Sequence, residues 1–340
     1  MKHQTSDRRS FIAKLSLATA AVSAAGIKSF AFDAPHKAAS AQQSASGKSL
    51  HIGWITDLHH GYAVDATQRL EAFMESVSKR DLDFILQGGD FCHPTDKAKS
   101  FVQLWEQYKG ERHHVLGNHD MDHGTKEQIM ALWGMKEKYY SFDKGNFHFV
   151  VMDCNYILKD GKYVDFANSN YYIDQPNRDL VNPEQIEWLK ADLAATDKQT
   201  IIISHQAFDE IWDGCSVPNR HLVRKVIDDA NNRTGFQKVI ACFCGHHHLD
   251  DHSYINKVHY FQMNSASYYY TGDGFGSDGG RAMYKDPLFA FVTIDPSGLI
   301  TIEGKQSHFS SPTPTDTRFP DAPRVSASIS SRKESFEARK

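Results

Sequence analysis

The sequence predicts an α/β fold. Short apolar runs typical of buried strands alternate with stretches whose apolar residues recur at helical spacing. Several of the apolar runs end directly in Asp, Asn or His. Strands that alternate with helices tend to form parallel sheets, and ligands of such sheets bind at the carboxyl ends of the strands. We therefore expect an α/β domain with a polar site at one edge of its sheet structure.

Composition indicates the class of the protein. The 340 residues are 40% hydrophobic and carry a formal net charge of −4, which suits one large globular domain with tails. The mild acidity gives no reason to expect a nucleic-acid polymer or an anionic membrane as a partner. The five cysteines show no paired spacing, so we expect buried thiols and no disulfide framework.

Residues 1–41 have the character of a targeting segment. The pair Arg8-Arg9, followed by Phe11-Ile12 and a short apolar run, resembles a twin-arginine export signal. An Ala39-Ser40-Ala41 site predicts cleavage after residue 41, with residues 42–48 as a linker. The resemblance implies export by the twin-arginine machinery to the periplasm or the medium, with no stable membrane anchor after cleavage. The alternative is a short amphipathic helix with incidental arginines.

The first predicted strand, residues 50–56, ends in Asp57-Leu58-His59. In an extended segment residues i and i+2 point the same way, so Asp57 and His59 would present an oxygen and an imidazole to one ion.

The second predicted strand, residues 83–87, follows a predicted helix over 66–80 and ends in Gly88-Gly89-Asp90. We interpret Asp90 as a bridge, because its two oxygens can each reach a metal ion. His93 could line the same site, and an ordinary surface histidine is the alternative.

The motif Gly117-Asn118-His119-Asp120 follows the third apolar run, between a predicted helix over 97–109 and a predicted hairpin over 139–153. It places an amide, an imidazole and a carboxylate in a row after a glycine that permits a sharp turn. Residues 154–182 form a long irregular loop, for which we expect a role in substrate selection. A merely decorated surface loop is the alternative.

Two further apolar runs end in histidine. Residues 200–204 end at His205, and residues 239–244 lead into Gly245-His246-His247-His248. His246 and His248 again stand two apart. The remaining predicted elements are a helix that begins at Asn182-Pro183, a helix near 219–231, and strands over 257–263, 288–294 and 299–305.

The last part of the chain holds one candidate residue and a tail. The loop over residues 265–286 could form one wall of the site, with Arg281 binding a phosphate. A flexible loop with a solvated arginine is the alternative. Residues 309–340 are rich in Ser, Pro and charge, so we expect them to be disordered. The folded domain is then expected over residues 49–308.

Taken in order, the polar strand ends resemble the calcineurin-like metallophosphoesterase family. The resemblance covers about residues 50–308 and implies a four-layer αββα sandwich of two mixed sheets. The blocks that carry it are Asp57-x-His59, Gly89-Asp90, Gly117-Asn118-His119-Asp120, His205 and Gly245-His246-x-His248.

The resemblance also implies a role for each residue. Asp57, His59, Asp90 and His248 would hold one divalent metal ion, and Asp90, Asn118, His205 and His246 the other; Mn, Fe and Zn all suit these ligands. His119 would be the catalytic histidine, oriented by Asp120. A hydroxide that bridges the metals would attack a small phosphoester, either a monoester or a diester, with His93 and Arg281 as candidate substrate-binding residues.

One position departs from a branch of this family. Purple acid phosphatases place a tyrosine ligand three residues after the second Asp, where this chain has His93. We therefore expect no tyrosinate–iron colour.

Other interpretations are open. The segment from His246 to His252 nearly matches the H-x-H-x-D-H motif of metallo-β-lactamase-like enzymes, but its last histidine is one place late and it leaves Asp57, Asp90 and Asn118 unexplained. A nucleotide pyrophosphatase, or a non-catalytic metal- or phosphate-binding module on the same fold, are further alternatives.

Overall fold

The computed structural model describes residues 47–210, 216–272 and 280–339. The predicted signal segment and most of the predicted linker lie outside these ranges. Within the described ranges no helix combines the length and the apolar character needed to cross a bilayer.

The described residues form sixteen strands and five α-helices. The helices are α1 (Ala66–Ser78), α2 (Lys99–Trp105), α3 (Lys126–Trp133), α4 (Pro183–Ala195) and α5 (Arg220–Arg233). The strands are β1 (Leu50–Ile55), β2 (Phe84–Gln87), β3 (Glu111–His114), β4 (Tyr140–Lys144), β5 (Phe147–Val151), β6 (Tyr156–Lys159), β7 (Lys162–Asp165), β8 (Gln199–Ile203), β9 (Val239–Cys244), β10 (Asp251–Ile255), β11 (Val258–Gln262), β12 (Tyr268–Tyr270), β13 (Arg281–Met283), β14 (Ala290–Asp295), β15 (Leu299–Gly304) and β16 (Arg332–Ser335).

Twelve of these strands build two mixed sheets. The first has the order β16-β15-β14-β1-β2-β3, in which β1, β2 and β3 are parallel and the other pairs are antiparallel. The second has the order β10-β11-β9-β8-β5-β4, with a parallel centre and antiparallel edges. The short pairs β6-β7 and β12-β13 stand apart from both sheets. Every strand that precedes a predicted metal ligand belongs to a parallel part.

The two sheets pack face to face. Alternate residues of the central strands, such as Trp54, Phe84 and Phe243, fill the space between them. The residues between these point outward, so that Ile85 meets α1, α2 and α3 while Ile202 meets α4 and α5. This alternation follows from the period of two in a strand. The predicted four-layer sandwich of two mixed sheets is confirmed.

The start of α4 follows the sequence signal in part. The side chain of Asn182 accepts a hydrogen bond from the Gln185 amide at 2.9 Å, and Pro183 occupies the first helical position. Gln185 stands at the position where a glutamine could complete a capping box, but its side chain does not bond back to Asn182. It instead bonds both the N–H and the C=O of Asp153, and so ties α4 to the end of β5.

The prediction that residues 309–340 are disordered is wrong. Strand β16 pairs with β15, placing Glu334 opposite Ile300, and the side chains of Ile329 and Phe336 are buried. Without β16, β15 would be an exposed sheet edge with unpaired backbone groups. The polar composition of the tail hid this strand, because only a few of its side chains are needed to anchor it. The loop over 154–182 likewise contains the unpredicted hairpin β6-β7.

Candidate active site

The seven predicted metal ligands lie together where strands of the two sheets end. Ligand atoms of Asp57, His59 and His248 lie within 4.8 Å of one another, and the same holds for Asp90, His205 and His246. These residues follow β1, β2, β8 and β9, and Asn118 follows β3. The structure thus brings the residues together in the two groups that the resemblance implied.

Asp90 lies between the two groups. Its Oδ2 is 3.1 Å from His205 Nε2 and 3.7 Å from His59 Nε2. In the first group, His248 Nε2 is 3.0 Å from His59 Nε2 and 3.2 Å from Asp57 Oδ1. One carboxylate within reach of a ring nitrogen from each group is the arrangement that a bridging ligand requires.

Five of the seven predicted metal ligands have a left-handed backbone conformation. The φ angles are 54° at Asp57, 52° at His59, 51° at Asp90, 69° at His246 and 52° at His248. Outside glycine this conformation costs about 1–2 kcal/mol per residue, and it is concentrated at functional sites. Asp57 and His59 therefore do converge, but the predicted reason is wrong. The chain has already left the extended conformation, and two left-handed turns aim the side chains.

Two glycines let the strand ends approach each other. A Cβ on Gly117 would lie 2.1 Å from the Asp90 amide nitrogen and 2.3 Å from its Oδ1. Gly89 has a φ of +101°, and a Cβ there would lie 2.4 Å from His205 Nδ1. A larger residue at position 117 would displace Asp90, and one at position 89 would displace His205, so these glycines allow the ligands to approach each other.

Hydrogen bonds on the far side of the ligands fix their direction. His205 Nδ1 donates to the Gly88 carbonyl at 2.8 Å, and His248 Nδ1 donates to the Tyr268 carbonyl at 2.5 Å. Both rings then direct Nε2 toward the site, and a carbonyl behind Nδ1 is the usual outer contact of a ligating histidine. The His119 amide donates to Asp90 Oδ1 at 2.8 Å and leaves Oδ2 facing the ring nitrogens.

The residues present fit a pair of divalent metal ions. Asn118 Oδ1 is buried and has no hydrogen-bond partner within the described part of the chain. An orphaned buried acceptor costs about 1–3 kcal/mol, and a cation would satisfy it. Burial, reinforced by neighbouring imidazoles, lowers the pKa of His59 and of His246 well below the usual range, so both rings are neutral ligands. Imidazoles mixed with carboxylate and amide oxygens suit Mn, Fe or Zn.

His119 is oriented by Asp122, which sequence reasoning missed. Its Nδ1 lies 2.6 Å from Asp122 Oδ2, so Nδ1 donates and Nε2 is left for the cleft. The His119 side chain is 30% exposed, whereas that of Asp122 is 1% exposed. Tyr62 and Tyr171 donate to Asp122 at 2.6 and 2.5 Å, and with His119 they outweigh the effect of burial and lower the pKa of Asp122 to about 2. Asp122 stands three residues after His119, on the next turn, and this spacing was the available signal.

The prediction that Asp120 orients His119 is wrong. The Asp120 carboxylate is fully buried and accepts hydrogen bonds from four backbone amides, those of Asp90, Phe91, Cys92 and Gly117, at 2.7–3.1 Å. It therefore clamps the segment after β2 to the segment after β3. Its physical role is to hold Asp90 in place.

A cleft of about 340 Å³ opens above this centre. His59, Asp90, Asn118 and His119 form part of its wall, together with Arg178 and several tyrosines. The remaining lining residues are His246, His247, His248 and Leu249. Arg178 Nε lies 3.5 Å from the Asp179 carboxylate. Neither Arg178 nor these tyrosines were predicted individually, although a role at the site was expected for the loops that carry them, residues 154–182 and 265–286. The tyrosines that line the cleft are Tyr171, Tyr172, Tyr268, Tyr269 and Tyr270.

The structure does not bring His93 and Arg281 to the cleft wall formed by the described residues. The His93 ring packs on Tyr62 and His123 at centroid distances of 4.7 and 4.5 Å. Arg281 Nη1 donates to the Tyr62 carbonyl at 2.9 Å, and its guanidinium lies 5.6 Å from the Tyr268 ring. His93 thus packs against Tyr62, and Arg281 contacts both Tyr62 and Tyr268. Residues 273–279 of the predicted loop lie outside the described residues.

Comparisons with known proteins agree with this fold. The family model of the calcineurin-like phosphoesterases matches residues 50–250. Purple acid phosphatase 22 of Arabidopsis thaliana is 23% identical over 278 residues, which are 72% of this chain and 57% of the plant protein. The chain thus spans little more than half the length of that relative.

Two solved structures share the fold. A dimetal phosphatase from Danio rerio has a TM-score of 0.53 at 15% identity, covering 75% of this chain and 95% of its own. GAP50, the anchor in the inner membrane complex of Plasmodium, has a TM-score of 0.52 at 14% identity, covering 86% of this chain and 90% of its own.

The metallo-β-lactamase interpretation is wrong. His252 lies on β10 in a cluster with His259 and Glu334, apart from His246 and His248. The family match covers more than half of the chain and includes every strand end that carries a ligand. The chain belongs to the calcineurin-like phosphoesterase family.

Proposed function

We propose that this protein is a hydrolase of small phosphoesters that depends on two divalent metal ions. The observation that carries the proposal is the position of Asp90 between two groups of ligand atoms, beside an accessible His119 at the floor of a cleft. When bound, the ions supply positive charge to the phosphate oxygens and activate water as the nucleophile.

His119, oriented by Asp122, supplies the proton that the leaving oxygen requires. Because His119 Nδ1 faces Asp122, its Nε2 is the atom that can donate to the leaving oxygen. Burial disfavours the charged ring, but Asp90 and Asp122 outweigh burial and raise the pKa of His119. The raised pKa favours the protonated ring, which is the form that can act as an acid. Asp122 fixes the ring and stabilises its charge.

The cleft favours a small substrate with an organic group. Its volume of about 340 Å³ is at the lower end of small-molecule sites. Arg178 offers a cation beside the floor, and the rings of Tyr172 and Tyr270 are 63% and 57% exposed. We propose that Arg178 contacts a phosphate oxygen and that these tyrosines pack on a planar leaving group. A preference for monoesters is supported by the relatives named purple acid phosphatase and dimetal phosphatase.

Hydrolysis of a nitrophenyl phosphate monoester against the bis-nitrophenyl diester tests this function. With Mn²⁺ present, we expect turnover of both to be lost with a chelator and the monoester to be preferred. A diester preference would identify a phosphodiesterase. Turnover of nucleotide diphosphates alone would favour the pyrophosphatase, and bound metal without turnover of any phosphoester would favour a binding module.

We further propose that residues 1–41 direct export of the folded enzyme by the twin-arginine machinery to the periplasm or the medium. The Arg8-Arg9 pair supports this proposal. Changing both arginines to lysine should retain the uncut protein in the cytoplasm. Unchanged export of that variant would show that another route is used.

A further inference from the structure

A second cluster of metal-ligating side chains lies outside the active site. It consists of His252 on β10, His259 on β11 and Glu334 on β16. One ligand atom from each lies within 4.8 Å of those from the other two. Strands β10 and β11 belong to the second sheet and β16 to the first, so the cluster connects the edges of both sheets.

The strand register places the two histidines on one face. His252 stands opposite Phe261, and Tyr254 stands opposite His259. The histidines are therefore diagonal neighbours on the same side of the pair, a separation that large side chains bridge. Their rings lie 5.2 Å apart, and Phe261 and Tyr254 pack around them at 4.7 and 4.5 Å. The aromatic neighbours hold both imidazoles in place.

The hydrogen bonds leave ring nitrogens facing each other. His259 Nε2 donates to the Ser335 carbonyl at 3.0 Å, so its Nδ1 carries the lone pair. That Nδ1 lies 3.0 Å from His252 Nε2. Two nitrogens bound to one zinc ion at the usual 2.0–2.1 Å stand about 3.3 Å apart in tetrahedral geometry. The backbone carbonyl behind His259 is the outer contact that a ligating imidazole normally makes.

Charge at the cluster is compatible with a cation. Glu334 Oε1 lies 3.7 Å from His252 Nδ1, and its side chain is 30% exposed, so it can turn toward the nitrogens. The nearby guanidinium of Arg332 is paired with Asp250 at 2.6 Å. The Arg332 side chain is therefore held by Asp250 and does not take the place of the ion.

We propose that His252, His259 and Glu334 bind one divalent transition-metal ion, with Zn²⁺ the class that two imidazoles and a carboxylate suit best. The ion joins the C-terminal strand β16 to β10 and β11. One solvent ligand completes the tetrahedral coordination, since Glu334 and His252 are both partly exposed. Its role is structural, because the cluster lies outside the residues that line the catalytic cleft.

Metal content tests this site. The full-length protein is stripped with a chelator, loaded with Zn²⁺, dialysed and measured by mass spectrometry of the metal. We expect the His259→Gln variant to bind one ion fewer than the wild type. The Gln side chain can still donate to the Ser335 carbonyl. Glu334→Gln, at a partly exposed position, should lose the same ion, and His221→Gln, on the exposed face of α5, should lose none.

Thermal unfolding gives a second measurement. With Mn²⁺ already bound at the active site, adding Zn²⁺ should raise the Tm of the wild type by about 5 °C, because the ion binds the folded state only. The rise should vanish in His259→Gln and in Glu334→Gln. Equal metal content in the wild type and both variants, or an equal rise in Tm, would overturn the proposal. Because the readout is a difference of one ion, the result does not depend on whether the active site is catalytic.

Discussion

The two clusters of metal-ligating residues are built in opposite ways. The ligands of the active site stand just after strands, and five of them have left-handed backbone. The outer cluster stands inside regular strands, on the pleated face of β10 and β11 and on β16. A centre that must leave one face open to substrate is built where the chain leaves the sheet. Its ligands have strained backbone, which the surrounding structure stabilises. A cluster that only joins two edges needs no strain.

The clusters also differ in whether their ligand atoms have hydrogen-bond partners in the absence of metal. In the active site the buried Asn118 Oδ1 has no hydrogen-bond partner within the described residues. In the outer cluster His252 and His259 contact each other, and His259 also bonds Ser335. Removing metal should therefore disturb the active site more than the outer cluster.

The largest effect on turnover is expected from replacing Asp90, the proposed bridging ligand. Asp90→Asn should lower turnover by about 10⁴-fold, because it removes a carboxylate that lies 3.1 Å from His205 and 3.7 Å from His59, and several kcal/mol of charge stabilisation go with it. Metal content should fall as well. Asp96→Asn, which changes an exposed carboxylate, is the matched control. Two ions and normal turnover in Asp90→Asn would show that Asp90 does not bridge.

His119→Asn should lower turnover by about 10³-fold while metal content stays normal, because the variant loses a proton donor and no ligand. The loss should be smaller for nitrophenyl phosphate than for an alkyl phosphate, since nitrophenolate leaves with little help from an acid. Loss of metal in this variant, or an equal loss of rate for both substrates, would contradict the role given to His119.

Asp122→Asn should lower turnover about 10–100-fold with metal retained, as is usual when a residue acts by orienting another. Ser169→Ala removes a hydrogen bond of 3.0 Å to Asp122 and should give a smaller loss in the same direction. If Asp122→Asn kept full activity, His119 would not need its carboxylate partner.

Arg178→Ala should raise KM about tenfold and change kcat less than twofold, because the lost contact is a charge-assisted hydrogen bond to the substrate. Arg233→Ala, on the exposed end of α5, is the control. An unchanged KM would remove Arg178 from the substrate site.

The smallest effect is expected at the outer cluster. His259→Gln should leave kcat within twofold of the wild type, even where it removes a metal ion and lowers Tm. A large loss of kcat without unfolding would show that the two clusters are coupled, and the contrast between them would fail.

The sequence indicated which residues would meet because each predicted ligand follows an apolar run typical of a buried strand. Asp57, Asp90 and His205 stand at such strand ends, and the ligand sets came from the order of all five blocks together. The geometry was not predictable in the same way. The left-handed backbone at Asp57 and His59 depends on contacts with neighbouring loops, including the hydrogen bond from the Asp57 amide to the Gly89 carbonyl.

Interactions between distant segments account for the errors. Asp120 is adjacent to His119 in the chain, yet its carboxylate faces four backbone amides, and Asp122 faces the imidazole instead. Strand β16 is short and polar, and its pairing with β15 is invisible without the rest of the first sheet. Glu334 could not be linked to His252 for the same reason.

A titration of the metal-free protein with Mn²⁺ tests the central claim most directly. Bound metal and hydrolysis of nitrophenyl phosphate are measured on the same samples. The two-ion centre predicts that activity is absent without metal and reaches its maximum only when two ions are bound at the active site. Activity that is complete with one ion, or that persists in the metal-free protein, would contradict it.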